Sequence, residues 1–193
     1  AKNIRYLSIE EQESSEFKLA QNLPKNHYCR KNIGYLSAIK SGTDYIYETD
    51  DDNIPCENWE IPVFLCDTEL DSISSKGFVN PYAYFSNSWP LWPRGYPLDQ
   101  IKVSKGDYQL SKKDYLSSVG VWQGLADEQP DVDAIFRLTL DENIKFDKYK
   151  KVYLPKYTFS PFNSQNTAWR KEMFMAMYLP AYVSFRFTDI LRS

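Results

Sequence analysis

Three consecutive carboxylates, Asp50, Asp51 and Asp52, followed by Asn53 and Pro55, are the densest run of potential chemistry in this 193-residue chain. Adjacent carboxylates repel one another unless water or a cation shares their charge. They follow Asp44–Thr49, where Tyr45, Ile46 and Tyr47 make an apolar run that reads as a buried strand. The acids therefore sit at a strand's carboxyl end, where open α/β sheets bind ligands. Side chains alternate along a strand, so continuing it would turn Asp50 and Asp52 to one side and Asp51 to the other. Two hard oxygen donors on one side suit Mg2+ or Mn2+, whose open positions suit the phosphates of a nucleotide diphosphate. Asp51 is then placed to hydrogen-bond a sugar hydroxyl or a ribose. The competing reading is a solvated acidic turn.

Arg30, Lys31 and Asn32 open the helix that leads towards this run. Positive charge at a helix start is unfavourable without a compensating anion. Arg30 or Lys31 is therefore expected to neutralise a diphosphate, with Asn32 fixing a backbone or base contact; solvent-facing charge is the alternative. Arg94 lies in the rigid stretch Trp92-Pro93-Arg94-Gly95, and its fork suits a diphosphate or sugar acid, or else a structural salt bridge. Trp89 and Trp92 are the rings expected in a substrate groove. Asn163, Gln165 and Asn166 form an amide-rich bend that can match sugar hydroxyls or simply make a turn. Asp189, Asp127 and Asp133 are candidates for the base that takes an acceptor hydroxyl's proton, against a capping or solvated role for each. His27, the only histidine, is expected to pack or to cap, with a nucleotide or phosphate contact as the alternative.

These residues need elements to hold them. Ile4–Ile9 reads as a short strand, with Ser8 capping a helix from Ile9 and Glu11 completing a capping box. A second helix is expected over Tyr28–Ser41, with Ile33, Leu36 and Ile39 on an apolar stripe and Gly42 after its end. The strand that follows after so short a turn predicts a β-α-β unit. Ile135–Leu140 reads as a strand, Thr158–Thr167 as a loop or short strand, and Ala168–Met177 as a helix that Pro180 ends. Tyr182–Phe187 starts a further helix or strand.

Composition narrows the classes. Hydrophobic residues at 42% and charged residues at 25% are ordinary for a folded, soluble domain. A net charge of −3 without a basic block argues against nucleic-acid binding. Fifteen Tyr, eleven Phe and five Trp are enough to wall a groove against rings or sugars. Cys29, Cys56 and Cys66 match neither a disulfide framework nor a zinc pattern. No stretch reaches the length of a membrane span, and the expected compartment stays open between cytoplasm and Golgi lumen.

Taken in order, His27–Leu36, Gly42 and Tyr45–Asn53 resemble the helix, strand and aspartate motif of a GT-A glycosyltransferase. More narrowly, Phe78–Pro81, Trp92–Leu98, Asp131–Leu138, Phe162–Thr167 and Arg186–Arg192 are similar to the STELLO-like glycosyltransferase group. The resemblance implies one domain over residues 1–193, an α/β mixed sheet with a Rossmann-like nucleotide half flanked by helices. It implies a nucleoside diphosphate sugar donor, UDP-linked, a divalent metal, and transfer to a hydroxyl on a glycan or glycoprotein. Asp189 becomes the leading base because its segment resembles the acceptor-side acidic motif, and Arg186 in that segment becomes a substrate contact. The first strand and helix of that fold are not evident before Ala1, so the expected unit is truncated at one or both ends. Two alternatives stand beside it: an inactive carbohydrate-binding or scaffold domain, and a sugar nucleotidyltransferase, whose amino-terminal phosphate loop is absent.

Overall fold

The computed structural model describes residues 4–88, 90–101, 109–140 and 142–193; Trp89 and the side chain of Cys66 lie outside that description. Five α-helices are seen among the described residues: α1 (Ile9–Glu13), α2 (Lys18–Asn22), α3 (Lys31–Lys40), α4 (Pro81–Phe85) and α5 (Ala134–Leu140). The strands are β1 (Tyr45–Thr49), β2 (Leu65–Ser74), β3 (Gly77–Phe78), β4 (Gln109–Ser118), β5 (Val121–Gln123), β6 (Val152–Tyr153), β7 (Thr158–Phe159) and β8 (Asn166–Arg170). They form small sheets ordered β1-β8-β5, β4-β2-β6 and β3-β7. The result is a mixed α/β fold.

Local chemistry explains the amino-terminal helices. Ser8 Oγ accepts the Glu11 N–H at 3.2 Å and Glu11 Oε2 accepts the Ser8 N–H at 2.8 Å, the expected capping box. Residues 4–8 make no strand, because no partner strand meets them; Ile4 and Tyr6 are exposed. Tyr28–Arg30 is a 3-10 turn that runs into α3. His27 caps it: Nδ1 accepts the Cys29 N–H at 3.2 Å, which leaves Nε2 to donate to the Val183 carbonyl at 2.9 Å. Gly42, at φ +77°, ends α3 by donating to the Ile39 carbonyl. Ile33 and Tyr35 are buried, but Ile39 is exposed. The apolar stripe thus stops a turn early.

The strand after α3 forms as expected, yet its neighbour is β8, paired antiparallel with Ile46 opposite Trp169 and Glu48 opposite Thr167. Among the described residues β1 has no parallel neighbour. Parallel pairing is confined to the two-residue contacts β2–β6 and β3–β7. β1 is therefore an edge strand, buried only at Ile46 and Glu48.

Two expected elements change type. Residues 135–140 are helical, because the Asp133 carboxylate takes the Ile135 N–H at 2.8 Å and starts a helix instead of a ladder. Only Phe136 of that run is buried. Residues 166–170 are a strand, because β8 is hydrogen-bonded between β1 and β5 with Thr167, Ala168 and Trp169 buried; Lys171–Met177 then forms a 3-10 helix. Tyr182–Phe187 contains the short 3-10 turn Phe185–Phe187.

The core has two centres. One gathers Ile33, Tyr35, Ile46, Trp169, Met177 and Leu179 beneath α3, and the other gathers Tyr82, Leu91, Trp92, Val132, Phe136 and Phe146. Beside the first lies a buried ion pair: Arg192 donates to Glu48 Oε1 at 2.7 Å, with both side chains 2% exposed. Trp169 Nε1 donates to the same oxygen at 2.8 Å, and the Tyr35 hydroxyl donates to Oε2. Among the described residues no helix is long and apolar enough to cross a membrane.

Removing one member of such a pair strands the other charge out of water. Arg192→Ala is expected to cost about 3–5 kcal/mol of unfolding free energy. Adding Glu48→Gln to that variant should restore part of the loss, and urea denaturation of the three chains measures both.

Candidate functional site

The strand ends at Thr49, and the acids form a turn: the Asp50 carbonyl accepts the Asn53 N–H at 3.3 Å. Strand alternation therefore does not set the directions of Asp50 and Asp52, because the backbone reverses between them. Asn53 pins the turn, donating from Nδ2 to Thr49 Oγ1 at 3.0 Å and to the Gln165 carbonyl at 2.5 Å. Asp51 and Asp52 are exposed, and among the described residues neither carboxylate has a hydrogen-bond or ion-pair partner. Asp50 is half-buried and turns inward.

Inward from Asp50 runs a continuous polar seam. Lys31 Nζ lies 3.2 Å from Asp50 Oδ1 and 2.6 Å from Tyr28 Oη, and Tyr28 Oη lies 3.1 Å from that same Asp50 oxygen. Tyr28 then meets Ser164 Oγ at 2.6 Å. Ser164 donates its backbone N–H to Asp189 Oδ2 at 3.4 Å, and its hydroxyl oxygen lies 3.4 Å from the same atom. Arg94 Nη2 reaches both Asp189 oxygens at 3.1 and 3.2 Å, while Nη2 and Nε together grip Asp131 bidentately at 2.6 and 2.8 Å. Burial, with Asp50 and Asp189 nearby, holds the Tyr28 phenol well above its ordinary range, so it is a neutral hydroxyl. Burial alone would lower the Arg94 pKa, but the Asp131 and Asp189 carboxylates outweigh it and raise it. The guanidinium is a fixed positive charge.

Several expected ligand contacts instead carry architecture. Arg30 is buried and donates to Gln12 Oε1 at 2.8 Å and to the Leu23 carbonyl at 3.0 Å, so it clamps the amino-terminal helices. Asn32 exchanges two bonds with the Leu179 backbone, at 2.8 and 2.9 Å. Arg94 takes the structural salt bridge; its other amine donates to the Arg186 carbonyl. Trp92 is a core residue set edge-on to Phe136 at 5.4 Å, not a groove wall. Trp89 lies outside the described residues.

The acids expected as bases are similarly engaged. Asp189 is 5% exposed and takes the Ile190 N–H besides its bonds to Arg94 and Ser164, which makes it an anchor. Asp127 accepts the Phe146 N–H at 3.0 Å and pairs with Lys148 at 3.3 Å. Asp133 starts α5. The amides divide: Asn163 is buried against Tyr82 Oη, Asn166 accepts the Tyr47 hydroxyl at 2.9 Å, and Gln165 Nε2 donates to the Gln129 carbonyl at 3.2 Å. The Arg186 side chain is exposed beside the Phe185 ring.

The structure thus brings Asp50, Lys31, Asp189, Arg94 and the Asn163–Gln165 bend into one seam, and leaves Arg30, Asn32, Asp127 and Asp133 elsewhere. Tyr28, Ser164 and Asp131 belong to it without having been singled out from the sequence. Tyr28 was detectable, since residues three apart share a helix face and it stands three before Lys31. Ser164 and Asp131 stand in segments that resemble the glycosyltransferase group, but their own spacing gave them no role.

Among the described residues no group of three or more His, Cys, Asp or Glu side chains is placed to hold a metal ion. The turn nonetheless offers hard oxygen donors in Asp50 and the unpartnered Asp52. That is the one- or two-carboxylate supply Mg2+ takes when substrate phosphates complete its shell. Two cavities lie away from the turn. One of about 540 Å³ opens between α1 and α3, lined by Glu11, Phe17, Ile33 and Lys40, and one of about 410 Å³ opens beside Ser86, Asn143, Lys145 and Lys150.

No family model matches the chain. It is similar to the Arabidopsis thaliana protein "Probable glycosyltransferase STELLO1", with 30% identity over 210 aligned residues, 97% of this chain and 26% of that protein. It is also similar to "Probable glycosyltransferase STELLO2" of the same plant, with 28% identity over 214 aligned residues, 99% of this chain and 27% of that protein. The chain spans about a quarter of the length of these curated relatives.

Burial raises the pKa of Tyr28, Tyr35 and Tyr82 above the ordinary 10.0. Above that pH the unfolded chain releases phenolic protons that the folded chain keeps, so stability is full below pH 10.0 and declines as pH rises. Melting temperature is expected to hold up to about pH 10 and to fall as pH rises beyond it, less steeply in Tyr28→Phe, which removes one such group. Thermal scans of both chains on either side of that pH measure the slopes.

Proposed function

We propose that this chain forms part of the sugar-transfer unit of a nucleotide-sugar-dependent glycosyltransferase with GT-A-like handling of its donor. The observation that carries the reading is the acidic turn: unpartnered Asp51 and Asp52 beside Asp50, at a strand's carboxyl end, with the Lys31 amine on its inner flank. Similarity over nearly the whole chain to two probable glycosyltransferases supports it. In this reading Asp50 and Asp52 hold Mn2+ or Mg2+, and Asp51 meets a hydroxyl of the sugar or ribose. The cation would supply offsetting charge for the departing diphosphate. Lys31, whose amine is partly solvent-exposed, adds a second positive charge there. The donor is a UDP-linked sugar and the acceptor a hydroxyl on a glycan or glycoprotein. Arg30, Asn32 and Arg94 are not carried into the site, because Arg30 is buried against Gln12 and the Leu23 carbonyl, and Asn32 and Arg94 are bonded to the Leu179 backbone and to Asp131 and Asp189.

A second reading is favoured by that same engagement. Asp189, Arg94 and Arg30 all serve the architecture, which suits a carbohydrate-binding or scaffold unit without turnover. Transfer of labelled sugar from a panel of nucleotide sugars, by the whole protein that carries this chain, separates the two. Chelation, or Asp50→Asn with Asp52→Asn, is expected to lower turnover by about 100-fold or more, since several kcal/mol of charge stabilisation would be lost. Absence of metal-dependent turnover, with glycan binding unchanged by those substitutions, would leave the scaffold reading.

A further inference from the structure

The seam between the acidic turn and Asp189 passes through two hydroxyls, and their protons cannot serve both ends at once. Tyr28 Oη and Ser164 Oγ are 2.6 Å apart, a separation two oxygens hold only with a proton between them. Each hydroxyl has a single proton to donate. If Tyr28 donates to Asp50 Oδ1 at 3.1 Å, the proton between the hydroxyls comes from Ser164, which then has none for Asp189 Oδ2. If Ser164 donates to Asp189, Tyr28 must donate to Ser164, and Asp50 keeps the Lys31 ammonium alone. Lys31 donates to Tyr28 Oη in both arrangements, so it does not choose between them. The contact to Asp50, 3.1 Å against 3.4 Å to Asp189, favours the first arrangement in this structure.

Asp189 holds more than itself. It shares Arg94 with Asp131 and with the Arg186 carbonyl, so its bonds bear on the whole C-terminal segment. A cation on Asp50 Oδ1 competes for the electron pair that Tyr28 addresses, which makes the second arrangement the better one. We propose that Tyr28 and Ser164 are positioning residues of a two-state hydroxyl relay. Loading Asp50 with a divalent cation turns the Tyr28 proton to Ser164 and the Ser164 proton to Asp189, tightening the segment from Phe185 to Ser193. The relay imposes an order: the donor-side turn is loaded before the segment that carries Arg186 is set. The mutual exclusion follows from proton counting; only the identity of the load rests on the function proposed above.

The test is a double-mutant cycle on the folding equilibrium, read by urea denaturation. The relay predicts that Asp50→Asn changes the folding constant by factors at least about threefold different in wild-type and Asp189→Asn chains. It also predicts that the difference vanishes when Tyr28→Phe is present. Should Asp189→Asn fail to fold, Ser164→Ala takes its place, and Ser164→Thr, which keeps the hydroxyl, is expected to behave as wild type. Effects that multiply to within about twofold overturn the relay. Coupling that persists in Tyr28→Phe overturns it too, because direct charge interaction needs no hydroxyl. A second measurement uses Mn2+ alone: hydrogen exchange of residues 185–193 is expected to slow several-fold in wild type and Ser164→Thr, but not in Tyr28→Phe or Ser164→Ala. No Mn2+ effect, with Asp50→Asn indistinguishable from wild type, overturns the cation as the load and the proposed donor site with it. A surviving cycle in that case still supports the relay.

Discussion

Glu48 and Arg192 have both left water, and neither could stay charged there without the other. Their contact joins an edge strand to the last residues of the chain, and it recruits Tyr35 from α3 and Trp169 from β8 around a single carboxylate. β1, α3, β8 and the C-terminal segment are thereby tied to one buried charge. β1 is short and has a single hydrogen-bonded neighbour, so ladder bonds alone would hold the turn loosely. The ion pair, set one residue before the strand's end, fixes where Asp50 begins.

Three residues earlier in the same terminal segment, Asp189 makes a second buried attachment, through Arg94, to Asp131. Ile190 packs so close to Gly95 that a Cβ there would meet it at 2.9 Å, and Gly95 also has φ +85°. A side chain at that position would be both strained and overpacked. The two attachments knit the first core centre to the second. The second also commits Arg94 and Asp189, two of the charges expected at a ligand, to architecture. What stays available is the turn itself, the partly exposed Lys31 amine and the exposed Arg186 side chain.

Short-range chemistry was legible without coordinates. The Ser8–Glu11 box, the His27 cap, α3 and the Gly42 stop each depend on groups within a few residues of one another. Such interactions are set by spacing along the chain. The strand into Asp50 was legible as well. The type of Ile135–Leu140 was not, because its apolar residues suit either period and a single capping carboxylate decided for the helix. The start of the run from Ala168 was hidden for a different reason: Ala168 and Arg170 are good helix formers, overridden by pairing on both sides.

The same division runs through the site. Sequence alone determined that three acids follow a strand, that a basic helix start lies near them, and that the ordered segments are similar to one glycosyltransferase group. Tertiary structure decided which charges were free to act. Arg30, Asn32, Arg94 and Asp189 are consumed by partners as far as 147 residues away along the chain. No local pattern records such a partner, because a charged side chain reads alike whether it faces water or a carboxylate brought to it by folding. Whether Asp50 faced inward was decided in the same way, by where Tyr28 and Ser164 came to rest.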